Sequence, residues 1–169
     1  MRRRGRALAV AIAATAVAAF AVSGVSAETG DLARGGGMQV TLPSGWAKVA
    51  PAHESRVDEP RTLLVIGTDG VRAVESDCQV ASYRVPSDGA VVVVVGWRDS
   101  VGGTGFLPLS AMKLRRGTFE CFAGRGAVGR LTRRDRDFQV NVMVGDRASA
   151  ETIADALEAA RSLGVVPRA

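Results

Sequence analysis

The hydrophobic pattern along the chain is strongest after Asp88-Gly89, where Ala90–Trp97 carries an almost unbroken run of valines. Because successive side chains of a strand point to opposite faces, this run is apolar on both faces. That pattern is typical of a central strand covered on both sides. We therefore expect the rest of the chain to be arranged around this strand.

Shorter runs with strand character precede and follow it. Met38–Leu42 alternates apolar and polar residues, and Thr62–Ile66 is apolar and ends at a glycine-rich turn. Phe119–Ala123 alternates in a way that would place Cys121 on an inner face, and Phe106–Leu114 is expected to run extended along a sheet edge. These runs supply further strands of one antiparallel sheet.

A hairpin is predicted by the spacing of Ala127–Thr132 and Asp137–Val144, which are joined by residues 133–136. The second run has one apolar face and one mixed face. The apolar face comprises Phe138, Val140, Val142 and Val144. The mixed face, which is neither fully polar nor fully apolar, comprises Gln139, Asn141 and Met143.

The periodicity becomes helical over Ser149–Leu163. Ser149 is expected to be the N-cap, and Gly164 is expected to end the helix. The predicted buried stripe consists of Ile153, Ala156, Leu157 and Ala160. Its small residues would let the helix lie close to a sheet.

These elements predict an α+β fold, in which an antiparallel sheet of five to seven strands packs against the C-terminal helix. Residues 76–85 around Cys78 fit a helix face and a strand face equally well. We favour a short helix that ends before Pro86, on the same face of the sheet or on the opposite one.

The first 27 residues have the order of a secretory signal peptide. The basic start Met1–Arg6 precedes the apolar run Ala7–Val25, and small residues end at Ala27, where cleavage is expected. Residues 28–37 then form a flexible lead-in, and residues 38–169 form a single domain. The expected location is secreted or at the cell envelope; the alternative is an uncleaved, single-pass N-terminal membrane anchor.

Removal of the leader changes the charge of the chain. The full sequence has 22 basic and 17 acidic residues and a net charge of +5. The leader takes four arginines and no acid with it, so the mature chain has a net charge of +1. Nucleic acid is therefore not an expected partner, and the aromatic side chains that would stack on bases are missing.

Both cysteines remain in the mature chain. In an oxidising compartment an even pair predicts one disulfide, between Cys78 and Cys121. The alternative is a redox or nucleophilic thiol, but the chain has no Cys-x-x-Cys and its single histidine is His53. We favour the structural bridge.

No stretch carries a catalytic or ligand-binding signature. Ser110 and Lys113 have a Ser-x-x-Lys spacing, but the companion motifs of penicillin-interacting enzymes are absent. Gly102–Gly105 lacks both the ending and the following helix of a phosphate-binding loop. We therefore expect no enzyme activity and no cofactor.

Single polar residues also have simple explanations. His53 lies in a charged loop between two prolines, and Asp135 and Asp137 flank Arg136, an arrangement that favours ion pairs over a metal site. The alternative function is a small secreted hydrolase, with His53 or a carboxylate as the base of a site assembled in the tertiary structure.

Basic residues are concentrated between Lys113 and Arg136, a segment that contains eight basic and two acidic residues. This segment predicts a surface for an anionic cell-wall polymer, lipid headgroups or an acidic envelope protein. The alternative is that exposed strands and turns are filled with arginine in a chain that has only two lysines. The surface residues are Arg115, Arg116, Arg130, Arg133, Arg134 and Arg136.

Several packing and turn residues occur in a characteristic order: Leu42–Trp46, a cysteine, Gly89-Ala90 before the valine run, Glu120-Cys121, Arg136–Val140 and a closing Ala/Leu helix. This order resembles small exported actinobacterial proteins of unknown function. The order of strands and helix is also similar to that of the Mog1/PsbP-like domains. The resemblance implies a sheet-and-helix layout and carries over no functional residue.

The function that these observations favour is that of an exported, non-enzymatic module that binds or assembles at the cell envelope. A further interpretation is an accessory part of a type VII-like or other envelope complex.

Overall fold

The structure, a computed structural model, describes residues 30–52, 59–78, 80, 82–99, 107–119, 122–133 and 136–166. The predicted leader lies outside these residues. So do His53, Gly102–Gly105, Cys121, Arg134 and Asp135.

The described elements are twelve strands, one 3-10 helix and one α-helix. The 3-10 helix is Leu109–Ala111 and the α-helix, α1, is Ala150–Arg161. The strands are β1 (Leu32–Gly35), β2 (Met38–Thr41), β3 (Trp46–Lys48), β4 (Arg61–Thr68), β5 (Arg72–Ala73), β6 (Tyr83–Arg84), β7 (Ala90–Gly96), β8 (Leu107–Pro108), β9 (Arg115–Phe119), β10 (Phe122–Arg133), β11 (Arg136–Val144) and β12 (Gly164–Val165).

The main sheet has seven strands in the order β3-β4-β7-β11-β10-β8, and β9 pairs with β10 beside β8. Every strand pair in it is antiparallel except the short contact of β8 with β10. Two small sheets, β1-β2-β12 and β5-β6, complete the fold. The predicted α+β architecture, with an antiparallel sheet and a C-terminal helix, is confirmed.

The valine run is the centre of the sheet. β7 lies between β4 and β11, and all seven of its residues are buried. Its even-numbered valines pack in the cluster that contains α1, and its odd-numbered valines pack in a second cluster on the opposite face. The sequence prediction of a strand covered on both sides is therefore correct.

The C-terminal helix covers the first of these faces. The backbone N–H of Thr152 donates to Ser149 Oγ at 3.0 Å, as expected of an N-cap. The buried residues of α1 are Ala156, Ala159 and Ala160. Ile153 and Leu157, which were predicted to belong to the buried stripe, are only half-buried and pack against the edge of the core cluster.

The expected flexible lead-in over residues 28–37 contains a strand instead. β1 forms a hairpin with β2 through Gly36 and Gly37, which have φ angles of 55° and 79°. Positive φ is the conformation that glycine allows, so the glycines that indicated flexibility form a tight turn. This hairpin also pairs with β12, which begins at Gly164, so both ends of the described chain meet in one small sheet.

The short helix expected near Cys78 does not form in the described part of residues 76–85. Tyr83–Arg84 is a strand that pairs with Arg72–Ala73. Val80 and Tyr83 are buried on the second face, and the Tyr83 hydroxyl accepts a hydrogen bond from the Ala52 backbone N–H at 3.0 Å. Long-range packing decides the conformation where the local pattern is ambiguous.

Candidate functional site

The described arginines of the 113–136 segment lie on β9, β10 and β11, and they fall into three groups. Arg125 and Arg133 are eight residues apart on one strand, which corresponds to roughly 26 Å. The predicted surface is therefore not one continuous patch.

At one end of β10, Arg116 of β9 lies directly opposite Arg125. Arg125 is also paired with Val144, whose side chain lies in the helix-side core, so both arginines belong to that face. Like charges directly opposite each other in a ladder are destabilising. Arg116 has one weak acidic neighbour, Asp146, at 4.0 Å, and both side chains are about three-quarters exposed.

At the other end, Arg133 lies opposite Arg136. The Arg136 Nε donates to the Trp97 carbonyl at 3.3 Å, and its guanidinium lies 5.3 Å from the centroid of the Phe138 ring. Arg136 is thus half-buried by packing on its own sheet, whereas Arg133 is exposed.

Arg130, in the middle of the strand, forms an ion pair with Asp137 on the second face. The two side chains are 12% and 1% exposed, and Thr132 Oγ1 donates to Asp137 Oδ1 at 2.6 Å. Arg130 therefore faces a carboxylate of its own chain. Asp137 thus forms an ion pair, as the sequence favoured, but the partner is Arg130 on the neighbouring strand and the pair is buried.

The Arg130–Asp137 pair begins a row of polar residues on the second face. The mixed face of β11 continues with Gln139 and Asn141, which are 5% and 0% exposed. Gln139 Nε2 donates to Asn141 Oδ1 at 2.9 Å, and Asn141 Nδ2 has no hydrogen-bond partner. Buried polar groups are normally paired, so this amide is an energetic exception.

The candidate catalytic motif has no suitable geometry. Ser110 lies in the three-residue 3-10 helix, and Lys113 lies beyond its end; both are exposed. A buried lysine one helical turn after the serine is what that chemistry requires, so the Ser-x-x-Lys spacing is a coincidence.

Among the described residues, no group of three or more histidine, cysteine or acidic side chains is placed to hold a metal ion. Within the same residues, no helix is long and apolar enough to cross a membrane.

Sequence reasoning missed the role of register. Arg125 lies in the basic segment but is not among the six predicted surface residues, yet the structure places it directly opposite Arg116. The sequence prediction missed this pair because it placed Phe119–Ala123 on one continuous strand, whereas Phe119 and Phe122 lie opposite each other at the start of the β9–β10 ladder. Comparison of the chain with family models, curated proteins and solved structures gives no match.

Proposed function

We propose that this protein is an exported, non-enzymatic module that binds an anionic partner at the cell envelope. The binding surface would be formed by Arg115, Arg116 and Arg125, which we call the arginine edge. The partner classes are an anionic cell-wall polymer, lipid headgroups or an acidic envelope protein.

The observation that carries this proposal is the pairing of Arg116 with Arg125. Two guanidinium groups on neighbouring strands repel each other, and the exposed Asp146 compensates little because solvent screens the interaction. An anion bound between them would replace repulsion by two charge-assisted hydrogen bonds. The other arginines contribute less, since Arg130 and Arg136 already have partners in the chain.

Export and the Cys78–Cys121 disulfide belong to the same proposal. Val80, two residues after Cys78, is buried in the second-face cluster, and Phe122, directly after Cys121, packs against that cluster. The two segments that carry the cysteines thus approach the same apolar layer. A relationship to the Mog1/PsbP-like domains is supported by the sheet and C-terminal helix alone.

Binding of the secreted protein to purified cell-wall fractions and to vesicles that contain anionic lipid tests the proposal. We expect salt-sensitive binding that falls at least tenfold in the R116Q/R125Q variant, because one charge-assisted contact contributes about 1.5–3 kcal/mol. The control is R133Q, which removes one exposed arginine at the other end of β10. Equal binding by the double variant and the wild type would refute the arginine edge.

A further inference from the structure

β9 is the outermost described strand at its end of the main sheet. It pairs with β10, whose other side is occupied by β11, and within the described residues it has no second strand partner. Arg115, Arg116 and Gly117 are all exposed. A Cβ added to Gly117 would meet no atom within 4 Å, so the face of the sheet on which Gly117 lies is open at this position.

The open side of β9 offers backbone hydrogen-bonding groups. In an antiparallel ladder, alternate residues direct their N–H and C=O groups toward the partner strand, and the intervening residues direct theirs away from it. Among the described residues no strand pairs with β9 on the side away from β10, so alternate residues of this five-residue strand present donors and acceptors on that side. Such an edge is a template for another strand.

The positive charges of β9 favour acidic residues on a strand that pairs with it. Arg115 and Arg116 are adjacent, so their side chains point to opposite faces of the sheet. A strand with two acidic residues at adjacent positions would meet both of them. Arg125 adds a further positive charge on the helix-side face.

We propose that the edge of β9 binds an extended acidic segment of a partner protein, which joins the main sheet as an additional strand. This inference rests on the proposed function and specifies its partner class. A polysaccharide or a lipid headgroup has no peptide groups to pair with the edge. A second copy of this chain would bring the arginines of its own β9 to the same edge, so repulsion disfavours that occupant.

The test uses a fluorescent peptide of about eight residues, rich in valine and threonine, with an Asp-Glu pair at its centre. One control peptide has the same sequence with alternate backbone amides N-methylated, which keeps the charge and removes strand donors. The other has Asn-Gln in place of Asp-Glu. We expect binding to weaken at least tenfold with either change.

The protein side of the test is the R115Q/R116Q variant, and R133Q, which removes one exposed arginine outside β9, is the control. Both variants must first show the thermal unfolding midpoint of the wild type. We expect peptide affinity to fall at least tenfold in R115Q/R116Q and less than twofold in R133Q. Peptide binding should also protect backbone amides within residues 115–119 from hydrogen exchange.

Three outcomes would overturn the inference. These are equal binding of the N-methylated peptide, protection of the β3 edge at Trp46–Lys48 instead of β9, and a dimer that forms through β9 without peptide. If envelope fractions bind and the acidic peptide does not, the inference fails and the proposed function stands. If neither binds, both fail.

Discussion

The two faces of the main sheet are both buried, but they differ in chemistry. On the face under α1, β11 contributes Val140 and Val142 to a cluster of apolar side chains. On the opposite face the same strand contributes Met143, followed by Asn141, Gln139 and Asp137, all of them buried. A strand in the middle of a sheet can therefore be apolar on one side and polar on the other without being exposed.

The two faces therefore contribute differently to the free energy of unfolding. Alanines of α1 pack directly on β7 and β11, so burial on this face carries no desolvation cost for polar groups. The second face buries an ion pair and two amides, whose removal from water must be offset by hydrogen bonds.

The largest expected effect is on the polar face. Replacement of Asp137 by alanine leaves the Arg130 guanidinium largely buried without its carboxylate, and we expect a loss of about 3–5 kcal/mol in the free energy of unfolding. Urea denaturation measures it. The double variant R130M/D137L should recover most of this loss, and a double variant as unstable as D137A would contradict the argument.

The next-largest effect on stability is expected from the proposed disulfide, next to segments that pack on the second face. If the proposed disulfide holds the segments next to Val80 and Phe122 together, C78A/C121A should lose about 2–5 kcal/mol. Intact-mass measurement of the secreted protein should show loss of the leader and of two hydrogens. Two free thiols in that material would rule the bridge out.

On the helix-side face, we expect stability to depend on side-chain size rather than on polarity. Ala160 is fully buried between α1 and the sheet, so Ala160→Leu should cost about 1–3 kcal/mol by overpacking. Glu158→Leu, on the exposed side of the helix, is the control and should change stability by less than about 0.5 kcal/mol. Thermal unfolding midpoints compare the two variants. Equal effects would mean that α1 does not pack closely on the sheet at Ala160.

The smallest effect is expected at the two amides. The Gln139→Leu/Asn141→Leu variant removes the buried Asn141 Nδ2, which has no hydrogen-bond partner. We therefore expect the free energy of unfolding to stay equal or to rise by about 1 kcal/mol. Chemical denaturation at neutral pH is sufficient to measure this. A loss above about 1 kcal/mol would show that the polar row makes interactions that apolar side chains cannot replace.

Local sequence patterns predicted the elements that neighbouring residues specify. The valine run of β7, the β10–β11 hairpin and α1 with its Ser149 cap were all evident, because periodicity and capping are properties of neighbouring residues. The β1 strand was missed because the glycines at 35–37 were interpreted as a flexible segment, although Gly36 and Gly37 form the turn of the β1–β2 hairpin. The β6 strand was missed because the pattern around it fits a helix and a strand equally well, and its pairing with β5 decides between them.

The candidate site shows the same division. Composition alone located the basic segment between Lys113 and Arg136. It could not show that Arg130 turns to Asp137, or that Arg116 and Arg125 meet at the edge of β9, because those contacts depend on which residues lie opposite each other.

The sequence by itself thus determined the central strand, the closing helix and the excess of positive charge. Only the tertiary structure decided that the mixed face of β11 is buried, and which arginines remain available to a partner. The physical reason is that hydrophobic periodicity is a local property, whereas burial and the side-chain contacts between strands arise only when the segments pack together.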